Sequence, residues 1–261
     1  RFEISYHFSA TLWFQQHRRA ARLRPPSLAG FAPVFDSQPP GVDVGKSATA
    51  AADMPTNSFR LRTVSMNGLE LPELPGTEDE LRAILALCAE NKIKATGFFR
   101  REATEEAFKS LAMKQFSMIH LATHSMNNKD NPKLSGFLFF PPEANGRGED
   151  GILYADETYN LQLDCEMLVL SSCESGSGPL VEGEGILALT RGLFYSGAAG
   201  IIFSLWKVED RASGKLMIHL YQDILLKNSY AKSLQKAKLS FIADRLTAFP
   251  KYWAGFILLG T

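Results

Sequence analysis

Two apolar runs, each closing on a side chain that can react, constrain this chain more than any other feature. Leu168-Val-Leu-Ser-Ser-Cys-Glu-Ser-Gly176 passes from aliphatic residues into Cys173, and Ile119-His-Leu-Ala-Thr-His-Ser125 does the same into His124. Runs rich in Ile, Val and Leu that stop at Ser and Gly have the pattern of buried parallel strands, which are apolar on both faces. In open parallel sheets the chemistry sits beyond the carboxyl ends of the strands. His124 and Cys173 both fall at such ends. A thiol needs a base or a positive neighbour to become a thiolate near neutral pH, and imidazole can act as either. The two residues read as a Cys-His dyad.

The rest of the chain predicts an α/β protein. Phe2, Ile4, Tyr6 and Phe8 alternate as in a strand, and Ala10 to Arg22 reads as a helix ended by Pro25-Pro26. Leu28 to Phe35 is the next expected strand. Residues 36 to 75, rich in Pro, Gly, Ser, Ala and Thr, read as a long insertion in which Phe59 to Met66 can pair as a strand. Residues 1–73 are expected to form one domain with the core at 74–261. In that core, Thr77 with Glu80 has a capping-box spacing and opens a helix through Leu81, Ile84, Leu85 and Cys88. Strand 93–96, helix 104–113 and strand 117–123 follow. Gly136 to Phe140 and Gly151 to Tyr154 read as a hairpin. A short helix at 156–160, strand 166–171, helix 184–195, strand 200–205, helices 211–226 and 231–245 and strand 252–259 complete the alternation. This order implies a three-layer sandwich, a mostly parallel sheet between helices.

Composition narrows the function. Lys+Arg and Asp+Glu are equal at 28 each, unlike the basic excess of a dedicated nucleic-acid binder, so no direct nucleic-acid contact is expected. The cluster His17-Arg18-Arg19 with Arg22 and Arg24 reads as a solvated segment. Three cysteines are too few for a disulfide framework or zinc site and fit a reducing, cytoplasmic setting. No apolar run has transmembrane length, and no membrane contact is expected. The opening at Arg1 reads as the C-terminal part of something longer.

His120-Leu-Ala-Thr-His124, Leu134-Ser-Gly-Phe-Leu138, Asp150-Gly-Ile-Leu153, Leu170-Ser-Ser-Cys-Glu-Ser-Gly176, Gly183-Glu-Gly185, Ala188-Leu-Thr-Arg191, Ser204-Leu-Trp-Lys-Val-Glu-Asp210 and Tyr252-Trp-Ala-Gly-Phe256 together resemble the CHAT domain. CHAT domains are caspase-like cysteine peptidases of bacteria, commonly fused behind tetratricopeptide repeats. The resemblance implies a caspase/separase-type sheet and cleavage of a protein substrate. It also implies control by a regulatory partner or an upstream repeat region. Defence circuits, CRISPR-linked ones included, are settings it implies. His124 matches the family's catalytic histidine and Cys173 its nucleophile. The family usually has Gly after this histidine, where Ser125 stands here; serine keeps the backbone N–H but narrows the approach.

On this reading Cys173 attacks the scissile carbonyl and His124 protonates the leaving amine, with the backbone N–H groups of Ser125 and Cys173 as oxyanion donors. Ser171, Glu174, Ser204, Trp206 and Asp210 are candidates for the substrate cleft, with Asp210 alternatively starting a helix. Ser171 stands where basic-specific relatives carry Asp, so the preference at the cleaved residue stays open. His120 and His124, about 13 Å apart along a strand, cannot share a metal, and His120 reads as a buried, hydrogen-bonded residue. Cys88 and Cys165 read as core residues. Glu182-Gly-Glu-Gly185 lacks the lysine of a phosphate loop. No metal and no cofactor are expected. A homodimer through the last strand is one option and a monomer the other. The alternative function is a catalytically weak or inactive caspase-like interaction module, toward which only Ser125 leans.

Overall fold

The structure is a computed structural model that describes residues 3–10, 14, 25–34, 63–66, 69–72, 74–128, 131–142, 149–171, 173–174 and 184–260. Most of the expected helix at 10–22, of which only Ala10 and Phe14 are described and both are helical, and most of the 36–75 insertion lie outside the described residues. In chain order the strands and helices are β1 (Ser27–Ala32), β2 (Thr63–Met66), β3 (Leu69–Pro72), α1 (Pro75–Glu90), β4 (Lys94–Phe99), α2 (Glu105–Lys109), β5 (Met118–Leu121), β6 (His124–Met126), β7 (Gly136–Leu138), β8 (Ile152–Tyr154), β9 (Met167–Leu170), β10 (Cys173–Glu174), α3 (Glu184–Tyr195), β11 (Gly200–Ser204), α4 (Asp210–Leu225), α5 (Tyr230–Ala243) and β12 (Phe256–Gly260).

The main sheet runs β12-β11-β9-β5-β1-β4, parallel throughout except for β12, which is antiparallel to β11. Strand periodicity explains the three layers, because alternate residues point to opposite faces. Ile119, Leu121, Leu168, Leu170, Ile201 and Phe203 face one core with Leu189, Leu193 and Phe108. Met118, Val169, Ile202 and Leu258 face the other, against Ile84, Leu216, Leu220, Tyr221 and Phe241 of α1, α4 and α5. Within the first core Phe31 stacks on Phe98 at 4.5 Å and meets Phe108 edge-on. The mostly parallel α/β sandwich expected from the sequence is what forms.

The last strand starts at Phe256, after a 3₁₀ turn at Pro250–Tyr252, rather than at Tyr252, and four other local expectations change. The alternation at 2–8 produces among the described residues a single bridge, Tyr6 to Leu259, rather than a strand. The first core helix begins at Pro75, and Thr77 Oγ1 donates to the Leu74 carbonyl at 2.7 Å instead of capping an N–H. Glu80 is then free to turn inward, where it is buried. The helix at 104–113 divides: Thr104 caps α2 by accepting from Ala107 N–H at 3.1 Å, and Leu111–Gln115 winds as a 3₁₀ segment. The strand expected at 117–123 is shorter, β5 ending at Leu121, and the chain just beyond Thr123 joins a second sheet as β6.

That second sheet runs β10-β6-β7-β8 and sits at the carboxyl end of the main sheet's central strands. Its β7–β8 pair is the expected antiparallel hairpin. β2 and β3 pair antiparallel as a separate ribbon within the insertion.

Candidate active site

β5 and β9 are adjacent parallel strands, with Met118 opposite Met167 and Leu121 opposite Leu170. Beyond their ends β6 pairs with β10 in parallel at the same offset, so that His124 lies opposite Cys173 and Ser125 opposite Glu174. The two candidate reacting residues are therefore level neighbours on adjacent strands. Neighbouring strands lie about 4.7–4.9 Å apart.

Several contacts hold this level. Ala122 N–H donates to Phe31 C=O at 2.9 Å and Ser171 N–H to Leu121 C=O at 3.0 Å, which extends the ladders past the strand ends. The Thr123 hydroxyl donates to the Leu138 carbonyl and ties the β5–β6 junction to β7. His124 is buried at 1 % exposure. Ser125 is also buried and has Phe137 of β7 on its other flank.

The cleft candidates divide. Ser171 is buried and shares a hydrogen bond of 3.1 Å with Ser213 of α4, which anchors the strand end two residues before Cys173. Ser204 closes β11 next to β9, and its hydroxyl donates to the Trp206 carbonyl at 2.8 Å. Trp206 is half-buried, with Nε1 donating to Lys251 C=O at 3.0 Å and its ring against Gly255. Ser204 thus ends β11 at the same carboxyl end of the sheet as β9, with Trp206 two residues beyond it. Asp210 is the first residue of α4, and its carboxylate accepts the Gly76 N–H at 3.1 Å. Burial, with the nearby Glu80 charge adding to it, raises the Asp210 carboxyl above its ordinary range. These contacts give Asp210 the helix-start place. Glu174 enters through its register with Ser125 alone.

His120 has the buried, hydrogen-bonded place expected of it. Its Nδ1 is 3.2 Å from the Tyr221 hydroxyl and its Nε2 is 3.0 Å from Glu80 Oε1, all three residues being fully or almost fully buried. Reading Glu80 as a capping residue concealed this role, and Tyr221 gave no signal beyond its place on an apolar helix face. Cys88 and Cys165 are buried free thiols, and burial raises them to about 11 and about 12.

Among the described residues one carboxylate group, Glu105, Glu149 and Glu157, has the proximity of a cation site. Lys109 Nζ already fills it, at 2.6, 2.7 and 2.8 Å from the three carboxylates. Burial alone would depress the lysine, but these hydrogen bonds outweigh it and push it above the ordinary range. The cluster is an internal ion-pair network.

A central parallel sheet between helical layers, carrying a histidine and a cysteine level on neighbouring strand extensions, defines a caspase-like α/β protein. The chain belongs to the CHAT domain family, whose model matches residues 1–261. It is similar to tetratricopeptide repeat protein 28 of Mus musculus, 29% identical over 189 residues, 61% of this chain and 8% of that protein. The Homo sapiens protein of the same name is 34% identical over 111 residues, 42% of this chain and 4% of the relative. The matches thus span less than a tenth of those proteins. Among solved structures, the Arg-specific cysteine proteinase gingipain R superposes with a TM-score of 0.57 at 9% identity, covering 96% of this chain and 51% of that one. Separase in the Saccharomyces cerevisiae separase–securin complex does so with a TM-score of 0.54 at 12% identity, covering 99% and 14%. At such identities the likeness is one of fold.

Proposed function

We propose that this domain is a cysteine endopeptidase that cleaves a protein substrate through His124 and Cys173. The observation that supports it is the register of β6 with β10, which sets His124 opposite Cys173 at the carboxyl end of the parallel sheet. In the proposed cycle the Cys173 thiolate attacks the scissile carbonyl, His124 gives its proton to the leaving amine, and water releases the acyl group. The backbone N–H groups of Ser125 and Cys173 are the proposed oxyanion donors, each contributing on the order of 10²–10³ in rate. An extended substrate would lie along Ser204 to Trp206, with Glu174 as the other proposed cleft residue, while Ser171 and Asp210 are engaged by Ser213 and Gly76 instead. The repeat-bearing relatives support a regulatory repeat region or partner protein as the source of control. No helix among the described residues is long and apolar enough to cross a membrane; the proposed cytoplasmic setting rests on the three scattered cysteines. The bacterial defence setting stays an implication of the family resemblance, since the relatives above are mammalian.

The test is labelling with an electrophilic peptide probe followed by peptide mapping, on this chain and on its longer parent with partners. Selective modification of Cys173 that disappears in His124→Ala is the expected result. Cys88 and Cys165, raised by burial to about 11 and about 12, remain essentially thiols at neutral pH and serve as internal controls. Labelling of Cys173 no faster than these two in every state would transfer the assignment to an interaction module.

A further inference from the structure

On the side away from β12 the main sheet ends at β4, which pairs with β1 and, among the described residues, with no further strand. The ladder fixes which of its amides are used. Phe31 C=O accepts the Ala122 N–H, so Phe31 and Ala29 turn toward β5, and the alternate residues Leu28, Gly30 and Ala32 turn toward β4. Leu28 is level with Ala95 and Gly30 with Gly97, and a parallel ladder of that register bonds Lys94, Thr96 and Phe98. The N–H and C=O groups of Ala95, Gly97 and Phe99 are left pointing outward, and no other described residue takes them up. β4 is correspondingly part-exposed along its length, where β1, β5 and β9 are buried throughout.

Exposed cations stand at both ends of this edge, Lys92 and Lys94 at its start and Arg100 and Arg101 just past its finish. Against these four the segment 90–102 sets two carboxylates, Glu90 and Glu102. Glu78 of α1 is shared by Arg82 and Arg100, at 2.7 and 2.9 Å, so one carboxylate there meets two guanidinium groups. Lys94 Nζ reaches the neutral Gln115 side chain at 3.5 Å, and the Arg101 guanidinium lies 5.6 Å over the Phe140 ring. The charges decide which strand this edge can accept. Two antiparallel copies of β4 would bring the lysines of one against the arginines of the other, and like charges set opposite one another disfavour pairing. A strand with carboxylates at its two ends, about 20 Å apart, meets the same cations favourably.

We propose that the outer edge of β4 docks an extended acidic segment of a partner protein by strand addition. The segment's backbone pairs with Ala95, Gly97 and Phe99, and its end carboxylates meet Lys94 and Arg101. This does not depend on the domain's catalytic reading.

The probe is a fluorescein-labelled peptide, Glu-Glu-Val-Thr-Val-Thr-Val-Glu-Glu. It is compared with a copy in which lysine replaces every glutamate and with a copy N-methylated through its centre. Binding is read by fluorescence polarisation, and amide exchange is read at Ala95, Gly97 and Phe99. The acidic peptide is expected to bind saturably, to slow exchange at those three amides and to weaken as salt rises. Both altered copies are expected to bind more weakly. Lys94→Glu/Arg101→Glu changes two exposed side chains and is expected to weaken the acidic peptide about tenfold and favour the lysine copy instead. Ala95→Pro removes an outward donor and no ladder bond, and is expected to weaken binding with the far-UV spectrum unchanged. If that variant does not fold, the charge-reversed pair carries the test. No saturable binding of the acidic peptide up to millimolar concentration overturns the proposal, as does binding that leaves Gly97 unprotected. So does equal binding of the lysine or N-methylated copy, or a peptide-free chain that self-associates with Gly97 protected, which would give the edge to a second copy.

Discussion

Asp210 shows how one side chain can hold two opposed electrostatic roles. As the first residue of α4 its charge complements the helix start, worth about 0.3–1 kcal/mol, yet burial and then Glu80 raise its carboxyl above the ordinary range. A carboxyl raised on folding binds its proton more tightly in the folded state. The stability it contributes is complete below the ordinary aspartate pKa and is lost as pH rises through the folded value. At neutral pH the ionised form is therefore a net cost. Asp210→Asn keeps an acceptor for the Gly76 N–H and removes the charge. Its Tm at pH 7 is expected to equal or exceed that of the wild type, with the difference shrinking as pH falls through the carboxylate range. Melts across that range test the sign, and a Tm deficit that is largest at pH 7 would show the charge to be stabilising.

Between elements, the Lys109 network joins α2 to the β7–β8 hairpin. Besides meeting Lys109, the Glu105 carboxylate accepts Gly151 N–H at 2.9 Å and Glu157 accepts Tyr154 N–H at 2.9 Å. Burial raises Glu105 and Lys109 opposes that rise. Lys109→Met leaves three carboxylates together with one buried, and loss of one partner of a buried pair costs about 3–5 kcal/mol. Adding Glu105→Gln to the same chain is expected to recover part of that loss in chemical denaturation, and simple additivity of the two substitutions would argue against direct coupling.

Across the whole molecule, a buried polar contact spans the layer between the sheet and the helices on its α1 and α4 side. Glu80 on α1, His120 on β5 and Tyr221 on α4 meet inside an otherwise apolar core. β5 also leads to His124, and Ser213 of α4 reaches Ser171, so α4 is linked to both strand ends at the site. Tyr221→Phe is expected to lower stability by about 1–3 kcal/mol, the cost of leaving a buried imidazole nitrogen without its partner. In urea this would appear as a lower midpoint with an unchanged slope; no change in midpoint would show that the contact contributes little.

The alternation of strands and helices, the three layers and the pair of strand ends bearing His124 and Cys173 were all legible in the chain, because hydrophobic periodicity is a local signal that each segment carries alone. The buried place of His120 was legible for the same reason. What the sequence could not determine was non-local. The departure of residues 124–126 into a second sheet depends on β7 offering an antiparallel partner and on Leu138 accepting the Thr123 hydroxyl. Glu80 carries a capping spacing, and only the packing of α1 against β1, β4 and α4 turned it toward His120. Tyr6 alternates as a strand should, but one bridge is all that the outer face of β12 makes with it. Pattern selects the kind of element; register, ion pairing and edge coverage are set by which surfaces meet, and those meet only when the chain is folded.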